Sequence, residues 1–482
     1  MSTFSGISTA LSAMYAQRQA LDVNGQNIAN ANTEGYTRQR VELNSVGGVV
    51  TPAVHSLSDG LGNGVTASGV TRLRDAFLES RGQIEHAKLA QLAGQEAIHT
   101  RIEEVFNEPS DIGIQSQLSD YWNAWHDVVN QPGDLAARAQ LLQRGGTVAD
   151  SLRSSDDALD SLWNSTADQL DSYVTEVNTA ADTVAQLNKA IVRATAAGLP
   201  ASELADKRDG LVLRLAELTG STSKTLGNGA VDVHLGGAKL VDGGTARELK
   251  VAGGGSLRDV MADPVANAVA LQWRDSSTDA GIASGELASS LQSLNKVLPE
   301  YAAKLDGVAA RLASTVNTQH TRGYDLNGAA GGDFFTPTTG TVITAATIKV
   351  GLTDPAEVAA SSVAPATGTD PDTGLPLPVK GNLDAGNADV LGGFAKADGG
   401  PDRFYRETVT ALGVASQAAQ RRTTIQAGVT QNNDAQRAAQ SGVSLDEEMA
   451  NMLLYQRAYQ AATQMINTIN GTFDSLFSMI RG

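Results

Sequence analysis

The side chains able to do chemistry are few, and none has the spacing of a catalytic or metal site. Cysteine is absent, which excludes disulfides, thiolate metal sites and cysteine nucleophiles. His86 and His99 do not lie one helical turn apart, as two metal ligands on a helix would. We therefore predict no catalytic residues, no metal site and no cofactor. The histidines considered are His55, His86, His99, His126, His234 and His320.

Three short stretches resemble sites but have simpler interpretations. "WNAWHD" (residues 122–127) places two tryptophans beside a histidine and an aspartate, and is interpreted as the buried face of a helix. "DGLGNG" (59–64) has glycines as a phosphate loop does, but no Lys-Ser/Thr pair follows, so it is interpreted as a turn. The acidic run 446–448 follows Ser444, and we interpret Ser444 and Glu447 as a capping box at a helix start.

Charge and composition narrow the possible classes of protein. The 482 residues carry a formal net charge of −17, which disfavours binding to nucleic-acid phosphates. Hydrophobic residues make up 41% of the chain and aromatic residues only 5%, a balance that favours long helices with small-residue contacts. We find no long apolar run and no cleavable secretory signal, so no membrane span is expected.

Both ends of the chain predict amphipathic helices, because their apolar residues recur at spacings of three and four. The C-terminal helix would be about 54 Å long at about 1.5 Å per residue. The N-terminal stripe comprises Phe4, Ile7, Leu11, Met14, Leu21 and Ile28. The C-terminal stripe comprises Leu445, Met449, Met452, Tyr459, Ala462, Ile466, Ile469, Phe473, Leu476 and Ile480.

Helices are also predicted between the ends. The same periodicity marks residues 74–106, 147–193 and 285–318, and a shorter helix near 204–218. The first of these stripes comprises Phe77, Ile84, Ile98, Ile102 and Val105. The second comprises Leu159, Trp163, Leu170, Val174, Val177, Val184 and Ile191.

Two glycine-rich blocks with alternating apolar and polar residues predict strands. "GNGAVDVHLGGAKLVDGG" (227–244) is typical of a hairpin, and "GTVITAATIKVGLTDP" (340–355) also predicts strands. The fold class predicted is mainly α with an inserted β domain, in a nested order that brings the chain ends together. The parts are paired terminal helices (1–34 and 441–482), a helical domain (35–220, 285–324 and 386–440) and a small discontinuous β-rich outer domain (221–284 and 325–385).

The N-terminal helix ends in an asparagine-rich corner, "NGQNIANANTEGYTRQRVEL" (24–43). This stretch closely resembles the N-terminal motif of flagellar rod, hook and hook-associated proteins. Three further stretches resemble the hook-associated members of that family. They are "LADKRDGLVLRLAELTG" (204–220), "VNTQHTRGYDLNGAAGGDFF" (316–335) and "SGVSLDEEMANMLLYQRAYQAATQMINTINGTFDSL" (441–476). The family-motif residues of the corner are Asn27, Asn30, Asn32, Gly35 and Tyr36.

The resemblance implies a structural subunit of the bacterial flagellum that joins hook to filament. It implies that the terminal helices form a coiled coil in the inner tube of an assembly, and that the corner is where the chain leaves that tube. The assembly interface would then be Ile7, Leu11, Met14, Leu21, Ile28, Leu445, Met449, Met452, Tyr459, Ile466, Ile469, Phe473, Leu476 and Ile480.

The resemblance also implies partners and a location. The partners would be further copies of the chain, the hook protein, the next hook-associated protein toward the filament, and a cytoplasmic export chaperone at the C-terminal helix. The protein would lie outside the cell in the flagellum, exported by the flagellar secretion apparatus without a cleaved signal peptide.

Three alternatives remain open from the residues. The terminal stripes could dock on the chain's own helical domain, as amphipathic helices commonly do. The chain could be a rod or hook subunit, which shares a looser form of both ends. A cell-wall hydrolase fused to such ends would need an acidic pair in a cleft.

Overall fold

The computed structural model describes residues 3–33, 35–47, 62–365 and 381–481, and most of them are helical. The fold class predicted from the sequence, mainly α with inserted β structure, is confirmed. The helices are α1 (Thr3–Ala29), α2 (Ala76–Phe106), α3 (Ile114–Asn130), α4 (Leu135–Ala196), α5 (Ser202–Thr219), α6 (Leu257–Ala262), α7 (Gly285–Gln292), α8 (Leu298–His320), α9 (Gly386–Gly393), α10 (Pro401–Ser441) and α11 (Leu445–Arg481).

Helix α4 organises the helical domain. It has 62 residues, which at about 1.5 Å per residue gives a rod of about 93 Å. Asp134 caps its start by accepting a hydrogen bond from the Ala136 N–H. All the apolar residues predicted for its stripe, from Leu159 to Ile191, are buried. Helices α3, α5 and α8 pack along it, so the core forms along the one buried face of this continuous element.

An aromatic cluster fills the core where α3 meets α4. Tyr121, Trp122 and Trp125 of α3 are almost wholly buried, which confirms that "WNAWHD" is a buried helix face. Phe334 and Phe335 pack against Tyr121, with ring centroids 5.8 Å from it. The Trp122 indole N–H donates to Asp402 at 2.7 Å, so the cluster also fixes the start of α10.

Helices α7 and α8 are joined by a π-helical turn over Ser293–Val297, so Gly285–His320 forms one helical run. In such a turn the usual i to i−4 bonds are displaced, which frees a carbonyl for another donor. The Trp163 indole N–H of α4 donates to the Leu294 carbonyl at 3.1 Å. This bond locks the two long helices in register.

The strands are short and antiparallel. They are β1 (Gln39–Ser45), β2 (Val65–Arg72), β3 (Thr222–Thr225), β4 (Val231–Leu235), β5 (Ala238–Asp242), β6 (Thr245–Ala246), β7 (Leu249–Ala252), β8 (Ala270–Trp273), β9 (Phe335–Pro337) and β10 (Ile348–Val350). The predicted hairpin is present, because β4 and β5 pair across Gly236 and Gly237, both with positive φ. Strands β3 to β6 form a meander, and β7 pairs with β8.

The two predicted β-rich blocks do not share a sheet within the described residues. Strands β9 and β10 pair with each other, and most of the 340–355 stretch is irregular because only Ile348–Val350 is extended. Both blocks rest on α4, at different levels. The first is tied to it through Asn188 and the Val231 backbone, and the second lies where the Arg138 guanidinium donates to the Val358 carbonyl.

Helix α10 runs antiparallel to α2, and a histidine joins the pair to α5. His86 Nδ1 lies 3.2 Å from Glu217 of α5, and its Nε2 lies 3.0 Å from Asp434 of α10. A carboxylate at each ring nitrogen requires both nitrogens to donate, which only the imidazolium can do. The hydrogen bond to Glu217 raises the pKa of His86, burial opposes it, and Asp434 adds to the rise.

Candidate assembly surface and corner

The two terminal helices pack antiparallel, so the chain ends lie together as the nested order predicts. A Cβ at Gly6 would lie 3.2 Å from Ile469, and at the other end the Asn24 amide donates to Glu448. Helix α1 packs against α11 and the β1–β2 strands, and its most buried apolar residues are the small side chains of Ala10, Ala16 and Ala20. Small residues let two helix axes approach closely.

The predicted stripe of α1 therefore does not form the centre of the helix pair. Its members lie beside the buried alanine face and remain half-buried. The Phe4 side chain is outside the described residues. The half-buried members are Ile7, Leu11, Met14, Leu21 and Ile28.

The predicted stripe of α11 divides into two sets. One set faces α1 and is half-buried or buried, namely Met452, Tyr459, Ala462, Ile466, Ile469 and Phe473. The other set is bare. Leu445 is 48% exposed, Met449 60%, Leu476 50% and Ile480 79%. Helix α1 thus covers the middle of the α11 stripe and leaves apolar residues near both ends of α11 bare.

The end of α11 extends past the start of α1. Because Gly6 lies opposite Ile469, the residues after Phe473 extend past the described part of α1. This overhang, residues 474–481, exposes large apolar side chains. Several bare residues of α11 lie outside the predicted stripe, namely Leu453, Leu454, Met465, Phe477 and Met479.

At the corner, the Asn27 side chain organises the end of α1. It is 1% exposed, and its amide N–H groups donate to the Gln39 carbonyl at 2.8 Å and to Glu448 at 3.1 Å. Its carbonyl oxygen accepts from the Gln39 N–H at 3.0 Å and from the Tyr36 hydroxyl at 2.9 Å. Burial, with nearby Asp206 and Glu448, raises the pKa of Tyr36 to about 12, so the phenol stays a donor.

Glu448 links this corner to the start of α11. It is 2% exposed, and Arg38 lies 2.6 Å from it and 2.7 Å from Glu447. The Arg38 backbone N–H also donates to the Ser441 carbonyl at the end of α10. A buried carboxylate needs such partners, because its desolvation is costly. The corner therefore holds α1, α10 and α11 by charge and hydrogen bonds.

This arrangement corrects the predicted capping box. The Glu447 carboxylate bonds to Arg38 and not to the backbone N–H of Ser444. The acidic run could be recognised in the sequence. Its pairing with Arg38 could not be predicted, because Arg38 lies about 400 residues away along the chain.

The remaining motif residues act locally. Asn30 donates to the Gln26 carbonyl at 3.0 Å and its side-chain oxygen accepts from Thr33, which ends the helix. Gly35 has φ of 78°, in the region that glycine adopts easily. Asn32 is exposed.

A second polar cluster ties the corner and the β1–β2 hairpin to α5. Arg72 lies 2.8 Å from Asp206 and 2.7 Å from Asp209. Arg74 pairs with Asp209 and Glu79. Burial alone would raise the pKa of Asp209, but the surrounding arginines lower it overall. The "LADKRDG" part of the 204–220 motif is thus an anchor for the terminal helices.

His320, in the 316–335 motif, is a structural residue. It is fully buried, with Nδ1 2.6 Å from the Gly332 carbonyl and Nε2 accepting the Ala359 N–H at 2.8 Å. Those bonds require the neutral tautomer with the proton on Nδ1. Burial lowers its pKa, in keeping with that form.

The other candidate chemistry finds no site in the described part of the chain. Groups of three or more His, Asp or Glu placed to hold a metal are absent there. Nor is any described helix long and apolar enough to cross a membrane. His55 and residues 59–61 of "DGLGNG" lie outside the described residues. His126 is exposed, whereas the tryptophans near it are buried.

Three protein-family models match separate parts of this chain. A model described as the flagellar hook-associated protein FlgK helical domain matches residues 99–335. Models of the flagella basal body rod protein and of the flagellar basal body rod FlgEFG protein C-terminal match residues 7–37 and 435–479.

Relatives that match over almost the whole length of this chain are named flagellar hook-associated protein 1. Flagellar hook-associated protein 1 of Bacillus subtilis is 28% identical, over 99% of this chain and 98% of its own length. That of Escherichia coli is 26% identical, over 98% and 99%. The structure of the flagellar hook junction protein FlgK from Burkholderia pseudomallei matches with a TM-score of 0.60 at 16% identity. It covers 74% of this chain and 100% of its own, which supports the fold.

Proposed function

Because this chain belongs to the family of flagellar hook-associated proteins, we propose that it is a structural subunit joining the hook to the filament. It acts by assembly and without turnover. The observation that carries the proposal is the set of large apolar side chains of α11 that α1 leaves bare, near its start and in the overhang. Exposed apolar surface on this scale is typical of protein–protein contacts.

The terminal helix pair forms the contacts in this proposal. Each subunit places α1 and α11 in an inner tube, and the bare residues of one pair are buried by the next copy. A head-to-tail contact of this kind repeats around an axis. The half-buried stripe of α1 lies beside α11 and completes the same apolar surface. The partners are further copies of this chain, the hook protein and the next hook-associated protein.

The corner sets how the tube connects to the outer domains. Asn27, Arg38 and Glu448 fix the angle between the terminal pair and the β1–β2 hairpin. Rigid placement matters because a junction subunit must match two different lattices. Polar networks that are fully bonded specify one geometry more sharply than apolar contacts do.

Export and chaperone binding follow from the same surface. The overhang is an aggregation liability before assembly, so we propose that a cytoplasmic export chaperone covers residues near 445–480. The protein then leaves through the flagellar secretion apparatus without a cleaved signal and resides in the extracellular flagellum. Chaperone binding by a chain lacking residues 445–480 would contradict this part.

The decisive experiment is deletion of the gene in the source bacterium, followed by inspection of basal bodies and spent medium. Hooks without filaments, with flagellin lost to the medium, are expected. Missing hooks would instead support the alternative, a rod or hook subunit. Normal filaments would overturn both.

A further inference from the structure

One face of α2 is covered in its second half and bare in its first. Ile98 and Ile102 are 5% and 0% exposed, whereas Phe77 and Ile84, on the same predicted stripe, are 69% and 53% exposed. The stripe predicted from the sequence was therefore right for the second half only. A helix that continues its apolar face into solvent has an unfilled contact there.

Helix α10 adds to this bare face. Next to Gln426, which donates to the Glu85 carboxylate at 2.6 Å, Ile425 is 69% exposed. On α2, Ile84 and His86 lie on opposite sides of Glu85. On α10, Ile425 and Asp434 lie on opposite sides of the residues that contact α2. Because His86 and Asp434 bond on one side of the helix pair, Ile84 and Ile425 share the other side.

The bare face is also basic. Lys88, Arg421 and Arg422 are exposed, and within the described residues none has a carboxylate within 4.0 Å. Among the bonds to described residues, each arginine donates to a carbonyl of its own helix and to no other acceptor. Unpaired cations are notable in a chain of net charge −17. We define the bare face as Phe77, Ile84, Lys88, Arg421, Arg422 and Ile425.

The complementary charge lies on α4. Between Arg153 and Lys189 this helix carries no basic residue. Its acidic residues there are Asp156, Asp157, Asp160, Asp168, Asp171, Glu176 and Asp182. Asp156 and Glu176 pair with arginines of the same chain, whereas Asp157, Asp168 and Asp171 are exposed. Thr175 and Thr179 are exposed on the same helix and offer methyl groups to the isoleucines.

One copy cannot bring these two surfaces together. Helices α2 and α8 each pack against both α4 and α10, so they stand between them. On each of α4 and α10, the exposed face lies opposite the buried face. The two exposed faces are therefore on different sides of the helical domain. Two copies placed side by side can join them, and the contact repeats because it is head-to-tail.

We propose that the bare face of one subunit docks on the acidic face of α4 in a neighbouring copy of this chain. The contact rests on the proposed function, which supplies the neighbouring copies, and lies outside the terminal helices. The cations pair with Asp157, Asp168 and Asp171, and Ile84 and Ile425 pack on the threonine methyls and the arginine stems. Charge pairing of this kind mainly fixes register.

The absence of cysteine allows a clean cross-linking test in assembled flagella. One chain carries R421C together with D168C, and another carries R421C together with D157C. Both are treated with a short bismaleimide and separated on a denaturing gel. At least one is expected to give a ladder of multimers. The single variants are expected to stay monomeric, and so is R421C combined with D275C on the β-rich block.

Each other outcome overturns the contact. Filaments without multimers in either double variant would show that the two faces do not meet, while leaving the junction role intact. Dimers from R421C alone would indicate two α10 helices facing each other. Charge reversal gives a second test: R421E/R422E should lower the number of filaments, and D157K/D168K in the same chain should restore it. Failure of the reversed pair to restore filaments also contradicts the contact.

Discussion

The helical domain and the terminal helix pair bury their side chains in opposite ways. In the helical domain the largest residues are innermost, and Tyr121, Trp122 and Trp125 are at most 1% exposed. In the terminal pair the alanines are innermost, while Phe477 and Ile480 are 64% and 79% exposed. The first region completes its core within one chain. The second leaves large apolar residues exposed, and the proposed function assigns them to contacts outside the chain.

The largest loss of stability is expected from the aromatic cluster. Trp125→Ala should lower the free energy of unfolding of the helical domain by about 3–5 kcal/mol, because it empties a closely packed site. Trp125→Phe should cost much less, because phenylalanine keeps an aromatic ring in the same site. Denaturant unfolding measures both, and equal losses would contradict this account of the core.

The corner should respond next. Glu448→Ala is expected to cost the terminal pair about 2 kcal/mol, because Arg38, Asn24 and Asn27 lose a buried acceptor. Amide hydrogen exchange should then speed up in α1 and α11 and stay unchanged in α4. Glu447→Ala, whose side chain is 62% exposed, is the matched control and should change exchange less. Faster exchange in α4 would mean that the two regions are not separate.

A smaller, pH-dependent loss is expected at His86. Its pKa in the folded chain is raised above the usual value of about 6.5, so its contribution is complete below that pH and lost as pH rises through the folded pKa. On a plot of unfolding free energy against pH, the stability of the helical domain should fall as the pH rises through the folded pKa of His86. In the His86→Gln variant, this fall in stability with rising pH should be smaller. An unchanged slope would show that Glu217 and Asp434 do not depend on the imidazolium.

The smallest change in stability is expected at the overhang. Ile480→Ser should leave the unfolding of the free chain within about 0.5 kcal/mol of the unchanged protein, because the side chain is already in water. Assembly should nonetheless fall sharply, scored as filaments per cell. Asn467→Ser, at an exposed polar position of the same helix, is the control. A free chain destabilised by Ile480→Ser would place this residue inside the monomer's own core.

The periodicity of apolar residues predicted where helices occur better than it predicted which residues of each helix make its contacts. The stripe of α4 was predicted correctly because a long helix inside one chain has a single buried face. The stripe of α1 was assigned to its large residues, yet Ala10, Ala16 and Ala20 are its most buried apolar side chains. Alanine ranks low on hydrophobicity scales, so a search for apolar periodicity overlooks it. Such a search also gives no information on how closely two helix axes approach each other.

Polar contacts were predictable only where they are local. Asn30 and Gly35 act within a few residues of themselves, as expected for a turn. Glu448 and Arg38 meet only because the nested chain brings its two ends together, and neither residue type signals its partner. The pairing of strands was limited in the same way. Alternation indicated extended segments, but whether two blocks share a sheet depends on where α4 places them.

The length of α4 has a mechanical consequence. A continuous helix of 62 residues, packed by α3, α5 and α8, behaves as a strut that resists bending along the whole outer part of the molecule. The terminal pair joins the helical domain through the two-stranded β1–β2 ribbon with the ion pairs beside it, and through the short link 442–444 between α10 and α11. In a shaft that turns while curved, elastic strain collects at the most compliant element. Bending would therefore be taken up between the helical domain and the terminal pair, against the ion pairs of the corner, and would spare the strut.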